Sequence, residues 1–274
     1  MEQNPWKIGA PAWSVYAGGA EGSRRGEVLW RQLAAHLPIA RMTAGSAPLN
    51  CLDAGCGTGA FGLRLLGVGG RVTFLDLSET LLEQARDAVN ALGPDAARRA
   101  AFVHGDVVLA PRLLPADGFE VIGLHSVLEY VPRPQMVLVR LASFLRPGGL
   151  LSVAAQGAWG QVLKSAAVDR DLELTAALLT GKTRFISPEF GATGELYTAD
   201  RLSALLAACG LTPIASYGCG IAADLAMGPD DPGDPRWLEL ELALGRQSPF
   251  REMGRLVHVV ARRAKAAQSR AGGL

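Results

Sequence analysis

The segment Leu49-Asn50-Cys51-Leu52-Asp53-Ala54-Gly55-Cys56-Gly57-Thr58-Gly59 most constrains what this chain can fold into. A short apolar run ends in an acid. Three glycines follow at alternate positions, and a helical pattern then runs to about Leu66. This is a strand (Leu49–Asp53) entering a tight turn that opens a helix, and repeated strand–turn–helix units build a parallel sheet covered on both faces. The rhythm continues. Arg71–Asp76 reads as a second strand, and Ser78 is a suitable N-cap, with Glu79 in the first turn of a helix reaching about Leu92. Ala101–His104 and Phe119–His125 read as the third and fourth strands. Pro134–Leu145 is a helix closed by Arg146-Pro147-Gly148-Gly149, before a fifth strand at Leu150–Ala154.

The flanks are read with less regularity. Residues 1–20 mix Trp6, Trp13 and Tyr16 with Gly and Pro and read as a surface loop or short helix. Residues 24–38 carry Val28, Leu29, Leu33 and Leu37 at helical spacing. Residues 43–48 are a loop. Residues 156–197 break the alternation with one apolar helical stretch, Asp169–Leu179, and a Gly/Pro/Ser-rich loop, which suits a lid or substrate surface. Thr198–Cys209 and Arg236–Gly245 read as helices, and Leu211–Tyr217 and Arg255–Ala261 as closing strands. The expected fold is therefore a doubly wound, mostly parallel seven-stranded α/β sheet. Its parts are a cap at 1–45, a main domain at 46–263 with the 156–197 insertion, and a tail at 264–274.

Composition narrows the function. With 49% hydrophobic and 19% charged residues, the 274-residue chain can bury a full core. A net charge of +1 argues against a broad nucleic-acid footprint, though not against a small basic patch. No apolar run approaches the roughly 18 residues of a membrane span, and no signal peptide is visible. The four cysteines (Cys51, Cys56, Cys209 and Cys219) form no metal-ligand pattern, so packed thiols in a cytoplasmic protein without a metal are expected.

The glycine loop carries the chemistry. Its pattern is D-x-G-x-G-x-G, whereas a dinucleotide-binding loop needs G-x-G-x-x-G to seat a pyrophosphate on the helix N-terminus. The third glycine here comes one residue early, and Asp53 would repel a pyrophosphate. An acid at that point suits a cationic ligand, as at the amino-acid end of S-adenosylmethionine. Asp76 ends the second strand about 20 residues after the loop, where a carboxylate can accept from ribose hydroxyls. Asp106, after the third strand in Gly105-Asp106-Val107, suits an adenine amino group.

On these residues the chain resembles the class I S-adenosylmethionine-dependent methyltransferases. The likeness covers residues 49–155 through the Asp53–Gly59 loop, Leu75-Asp76-Leu77-Ser78, Gly105-Asp106-Val107 and Leu145-Arg146-Pro147-Gly148-Gly149-Leu150. It implies S-adenosyl-L-methionine as cofactor, with S-adenosyl-L-homocysteine as product. The cofactor would be held by Asp53, Gly55, Cys56, Gly57, Asp76, Leu77, Gly105, Asp106, Val107 and His125. Between about Tyr16 and Arg263 the chain is similar to the family of bacterial tRNA carboxymethoxyuridine carboxyl methyltransferases. The motifs are Gly22-Ser23-Arg24-Arg25, His125-Ser126-Val127-Leu128-Glu129-Tyr130-Val131, Ser187-Pro188-Glu189-Phe190 and Gly254-Arg255-Leu256-Val257-His258-Val259. This likeness implies that Arg25 reaches over the cofactor to hold its carboxylate.

The chain departs from that family where substrate would bind. Only Lys182 and Arg184 stand in place of a lysine-rich run, Glu21 replaces a lysine, and Gly220 and Ala223 replace an arginine and a histidine, while Asp224 remains. The preferred reading is methylation of a small aromatic or apolar metabolite. Two alternatives are the tRNA wobble-uridine reaction and, from another class, a non-catalytic S-adenosyl-binding module. His125, at the end of the fourth strand, and Tyr16 are candidate catalytic residues. Glu129 is a candidate polar contact or a helix N-terminal acid, and Tyr16, Trp13, Trp159, Tyr197 and Tyr217 are candidate acceptor-pocket walls. His125 has two open roles, a general base or a group packed beside the cofactor's methionine end.

Overall fold

A computed structural model describes residues 5–39, 47–114, 118–225 and 234–265. Its centre is a seven-stranded sheet in the order β3-β2-β1-β4-β5-β9-β8. The strands are β1 (Asn50–Ala54), β2 (Arg71–Asp76), β3 (Ala100–His104), β4 (Phe119–His125), β5 (Leu145–Gln156), β8 (Leu211–Cys219) and β9 (Leu256–Arg263). Pairing is parallel from β3 through β5, and β9 is antiparallel to both β5 and β8. The chain moves outward from β1 to β3, then returns to lay β4 on the other side of β1. The strand order thus reverses at β1 and β4, and the crevice beyond their carboxyl ends is where such sheets bind ligands.

Both faces of the sheet are buried, as parallel strands require. On one face Leu52, Leu75, Ile122, Leu124 and Val153 pack with α5 (Pro134–Phe144) and α8 (Ala199–Ala208). On the other, Cys51, Val72, Phe74, Val121 and Val260 pack with α2 (Ala20–Ala34), α3 (Ala60–Gly67) and α4 (Glu79–Ala91). Alternate strand residues thus serve opposite layers. Ser78 caps α4, its Oγ accepting from Leu81 N at 3.4 Å. All four cysteines are buried and free, as expected.

The structure departs from the sequence reading at several elements. Residues expected as a surface loop or short helix form α1 (Pro5–Gly18), a 14-residue helix with Pro11 inside it. Tertiary contacts override the breaker, because Trp6 packs on Tyr130 and Phe190 at ring-centroid distances of 4.9 and 4.8 Å. Strand β5 starts at Leu145 rather than Leu150, since Leu145 already pairs with Phe119 before a bulge. The insertion holds two helices, α6 (Ala158–Ala167) and α7 (Leu172–Leu179), followed by a hairpin, β6 (Arg184–Ile186) and β7 (Thr193–Glu195). Helix α9 (Pro235–Leu244) agrees closely with expectation. Residues 43–46 of the expected loop and 266–274 of the expected tail lie outside the described residues. Among the described residues no helix is long and apolar enough to cross a membrane, and no metal-holding cluster occurs.

Helix α6 escaped detection because Gly160 reads as a breaker. Its role is close approach: a Cβ there would lie 2.2 Å from the Gly254 carbonyl oxygen. Gly160→Ala should therefore cost about 1–3 kcal/mol by overpacking. Gly67→Ala, with nothing within 4 Å of the added carbon, should be neutral or slightly stabilising. Thermal unfolding separates them, and equal melting temperatures for both variants would contradict this packing.

Candidate cofactor and acceptor site

The glycine loop folds back onto the end of β2. Gly55 N and Cys56 N both donate to the Leu75 carbonyl, at 2.7 and 3.0 Å. Gly55, Gly57 and Gly59 have φ of +73°, +52° and +83°, a region costly for residues with a Cβ. Asp76 holds the turn from the side. Its Oδ2 accepts from Gly57 N at 2.7 Å and its Oδ1 from Ser78 N at 2.8 Å. Burial raises the Asp76 pKa, while these amides draw it down.

Beyond the loop lies a cavity of about 330 Å³, within the usual span of small-ligand sites. Eight of the residues expected around the cofactor line it: Gly55, Gly57, Asp76, Leu77, Gly105, Asp106, Val107 and His125. Asp106, on the cavity wall, accepts from Val108 N through Oδ1 at 2.8 Å. Leu77, Leu81, Val107 and Val131 add apolar walls suited to a purine. Two carboxylates, apolar plates and a backbone-lined turn fit an S-adenosyl ligand.

Asp53 and Cys56 are placed differently from expectation. Asp53 is 3% exposed behind the loop, where its Oδ2 accepts from Gly62 N at 2.9 Å, and it is absent from the cavity wall. Burial, opposed by that amide and reinforced by Asp76, pushes its pKa up to about 7. Cys56 is likewise buried. Both support the loop from behind rather than facing a ligand.

Arg25 also departs from expectation. Its guanidinium lines an adjoining cavity, not the first. There it pairs with Asp224, with Nε to Oδ2 at 3.0 Å, and with Glu21 at 2.5 Å, and it donates to the Tyr16 hydroxyl. Three groups of the protein thus occupy the fork expected to clamp the cofactor.

This second cavity, about 690 Å³, meets the first at Trp13, Ser126 and Tyr130, which line both. Ser126 has φ of +55°, a strained backbone at the junction. Arg255, Lys164, Lys182 and Arg184 also line the second cavity. Lys164 pairs with Asp169. Arg255 donates to Gln161 Oε1 at 2.7 Å, and Arg255, Lys182 and Arg184 have no carboxylate partner among the described residues. Burial and neighbouring Arg25 lower the Arg255 pKa to about 10. Of the α7 stretch only Leu174 reaches the wall, while Leu172 and Leu179 are exposed. Trp159, Tyr197 and Tyr217 line neither cavity.

The sequence reading named Trp13 as a pocket wall but missed the rest of the aromatic cover. Trp6, Tyr130 and Phe190 close the first cavity, and Trp13 Nε1 lies 2.8 Å from where a Gly57 Cβ would stand. The available signal was the i, i+7 spacing of Trp6 and Trp13, obscured by Gly9 and Pro11 between them. Glu129 is fully enclosed, and burial pushes its pKa up to about 8, with nearby amides opposing.

Comparison with known proteins agrees with this geometry. A family model described as a methyltransferase domain matches residues 52–151. The chain is 30% identical over 251 residues to the tRNA 5-carboxymethoxyuridine methyltransferase of Escherichia coli, covering 90% of each protein. It is 34% identical over 108 residues to a ubiquinone biosynthesis O-methyltransferase of Thiobacillus denitrificans, which covers 38% of this chain and 44% of that one. Its fold matches magnesium protoporphyrin IX methyltransferase from Synechocystis, solved with bound S-adenosylhomocysteine, with a TM-score of 0.60 at 14% identity over 95% and 98% of the chains. It also matches a Burkholderia thailandensis 1,6-didemethyltoxoflavin-N1-methyltransferase, with a TM-score of 0.57 at 18% identity over 93% and 83%. The chain belongs to the class I S-adenosylmethionine-dependent methyltransferases. It is an enzyme whose cofactor is S-adenosylmethionine, and its E. coli tRNA-modifying relative matches it along nearly its whole length.

Two outcomes test the site. Asp76→Ala removes the acceptor that fixes Gly57 and faces the cavity. It should weaken S-adenosylhomocysteine binding by about 1–3 kcal/mol in calorimetry, and an unchanged Kd would remove Asp76 from the site. His125 is held neutral, burial lowering its pKa from 6.5 to about 4. The unfolded chain takes up this proton below 6.5 while the folded chain does not, so stability falls as pH drops from 6.5 toward 4. His125→Asn should make that decline shallower in denaturant titrations, and an identical slope would show that His125 titrates normally.

Proposed function

We propose that this methyltransferase acts on a small acceptor carrying an anionic group, preferably a carboxylate, held in the second cavity. The observation that carries this reading is the set of cations there without carboxylate partners, Arg255, Lys182 and Arg184. Arg255 is half-buried, with Asp224 and Glu21 acting on it without a direct ion pair, so an acceptor carboxylate could pair with its guanidinium directly. Trp13, Tyr16 and Phe185 supply aromatic walls. The aromatic character expected from the sequence thus fits the body of the acceptor, while the polar lining argues against a wholly apolar one.

The chemistry supports the same choice. The cofactor supplies an electrophilic methyl group. With a carboxylate acceptor, one oxygen forms the new bond to carbon as the carbon–sulfur bond breaks, the electron pair staying on sulfur. No proton moves, so no base is required. Neither expected base is suited to act near neutrality: burial lowers His125 to about 4 and raises the Tyr16 hydroxyl to about 12, against the pull of Arg25. The protein's contribution is alignment and charge neutralisation at the junction lined by Ser126 and Tyr130.

A second reading, methylation of carboxymethoxyuridine in tRNA, is favoured by the 30% identity with the E. coli enzyme. Gly220 and Ala223, in place of basic or ring donors, and the near-neutral chain argue against a wide phosphate footprint.

One experiment separates them. Enzyme and methyl-labelled cofactor are incubated with a small-molecule extract and, separately, with tRNA bearing carboxymethoxyuridine. The expected result is base-labile label in the extract, and Arg255→Gln should raise the acceptor KM roughly 10- to 100-fold. Label in tRNA alone would establish the second reading. Base-stable label, or an unchanged KM in Arg255→Gln, would overturn the carboxylate assignment.

A further inference from the structure

A buried hydrogen-bond chain runs from the N-terminal cap, through the sheet, to the wall of the cofactor cavity. Gln32, Ser152 and His258 are each 0% exposed. They come from α2, β5 and β9, and they end on His125 of β4.

The proton positions follow from the far end. The Gly218 carbonyl can only accept, so Gln32 must present Nε2 to it, at 2.8 Å. Gln32 Oε1 is then the atom facing His258 Nδ1, at 2.7 Å, and an amide oxygen can only accept. His258 therefore carries its proton on Nδ1. Burial, with His125 and His36 nearby, pushes its pKa far down, so the ring is neutral and Nε2 is bare. Ser152 Oγ, 2.8 Å away, must donate to that nitrogen. A hydroxyl has one proton, so its remaining contact, with His125 Nε2 at 2.8 Å, is one in which it accepts. His125 is thus protonated on Nε2. Being neutral as well, it has a bare Nδ1, for which the described residues provide no partner.

We propose that Gln32, His258 and Ser152 are positioning residues that lock His125 in the Nε2–H tautomer, making its Nδ1 a hydrogen-bond acceptor for the ammonium of the bound S-adenosyl ligand. The choice of ammonium follows from the strand order. Asp76 and Asp106 follow β2 and β3, on the far side of β1 from β4. At about 4.8 Å per strand, β4 stands roughly 10 Å from β2. The ribose and adenine donors are matched by the two carboxylates, and the amino-acid end is left for His125. A neutral acceptor suits this task, because a donor or an imidazolium there would repel the ammonium. The inference is independent of what the acceptor is.

Imidazole nitrogen NMR on the full chain near pH 7 tests it directly. We expect His125 with proton-bearing Nε2 and bare Nδ1, and His258 with the reverse. S-adenosylhomocysteine should shift the His125 Nδ1 resonance. Ser152→Ala should release His125 into mixed tautomers and weaken S-adenosylhomocysteine about three- to tenfold, and Ser152→Thr, which keeps the hydroxyl, should restore both. A proton on His125 Nδ1 in the unmodified protein, or an Nδ1 resonance indifferent to ligand, would overturn the proposal. These two measurements need no variant, so a poorly folding Ser152→Ala leaves the test intact.

Discussion

Everything at the carboxyl edge of the sheet depends on the Asp76 carboxylate. One oxygen takes the Gly57 amide, the other takes the Ser78 amide that opens α4. The loop after β1 and the helix after β2 are thereby tied to a single side chain at a strand end. Without that tie, the glycine turn would have the freedom that lets glycines adopt it, and the entropy cost of ordering it would fall on ligand binding. Asp53 acts from beneath in the same way, bonding Gly62 at the start of α3. The two carboxylates clamp the turn from its two sides, which is why one of them, Asp53, is buried without touching the cavity.

The second cavity rests on a comparable device with opposite polarity. Arg25 joins Tyr16 of α1, Glu21 of its own helix and Asp224 beyond β8. Breaking a buried pair of this kind leaves an uncompensated charge, so these contacts bind the cap to the sheet firmly. Gly220 permits the approach: it has φ of +70°, and a Cβ there would meet Asp224 Oδ2 at 2.3 Å and Arg25 Nε at 3.0 Å. A residue with a side chain at this position would disturb the Arg25–Asp224 pair.

The core of the fold was legible because burial on both sheet faces writes itself as repeated apolar runs. Strands β2 and β4 were read to the residue. What escaped was determined by contacts distant in sequence. Gln32 and Arg25 lie on the same buried stripe of α2 as Val28, Leu29 and Leu33, at helical spacing. Hydrophobic periodicity marks only the last three, since a polar residue on an apolar stripe looks like noise until its partner is known. The partners, His258 and Asp224, are 226 and 199 residues away. The length of helix α1 was obscured for a related reason: Gly9 packs against Phe190, so a residue that reads as a breaker serves as a contact. For the cofactor, local motifs were sufficient, whereas the acceptor cavity draws on α1, the insertion and β9 together.

The two cavities have complementary electrostatics, and this bears on turnover. The first sets Asp76 and Asp106 along its wall; the second sets Arg25, Lys164, Lys182, Arg184 and Arg255 against Glu21, Asp169 and Glu189, an excess of cations. On the proposed reading, a cationic donor and an anionic acceptor enter sites of opposite sign, and both gain from the low local dielectric between them. Transfer of the methyl group cancels one charge on each ligand. The ester no longer satisfies the Arg255 guanidinium, and the thioether has lost its attraction to the neighbouring anion. On that reading the esterified acceptor is held less tightly than the free carboxylate by the cations that seat it. On the proposed reading, the cations that select the acceptor also favour release of its product.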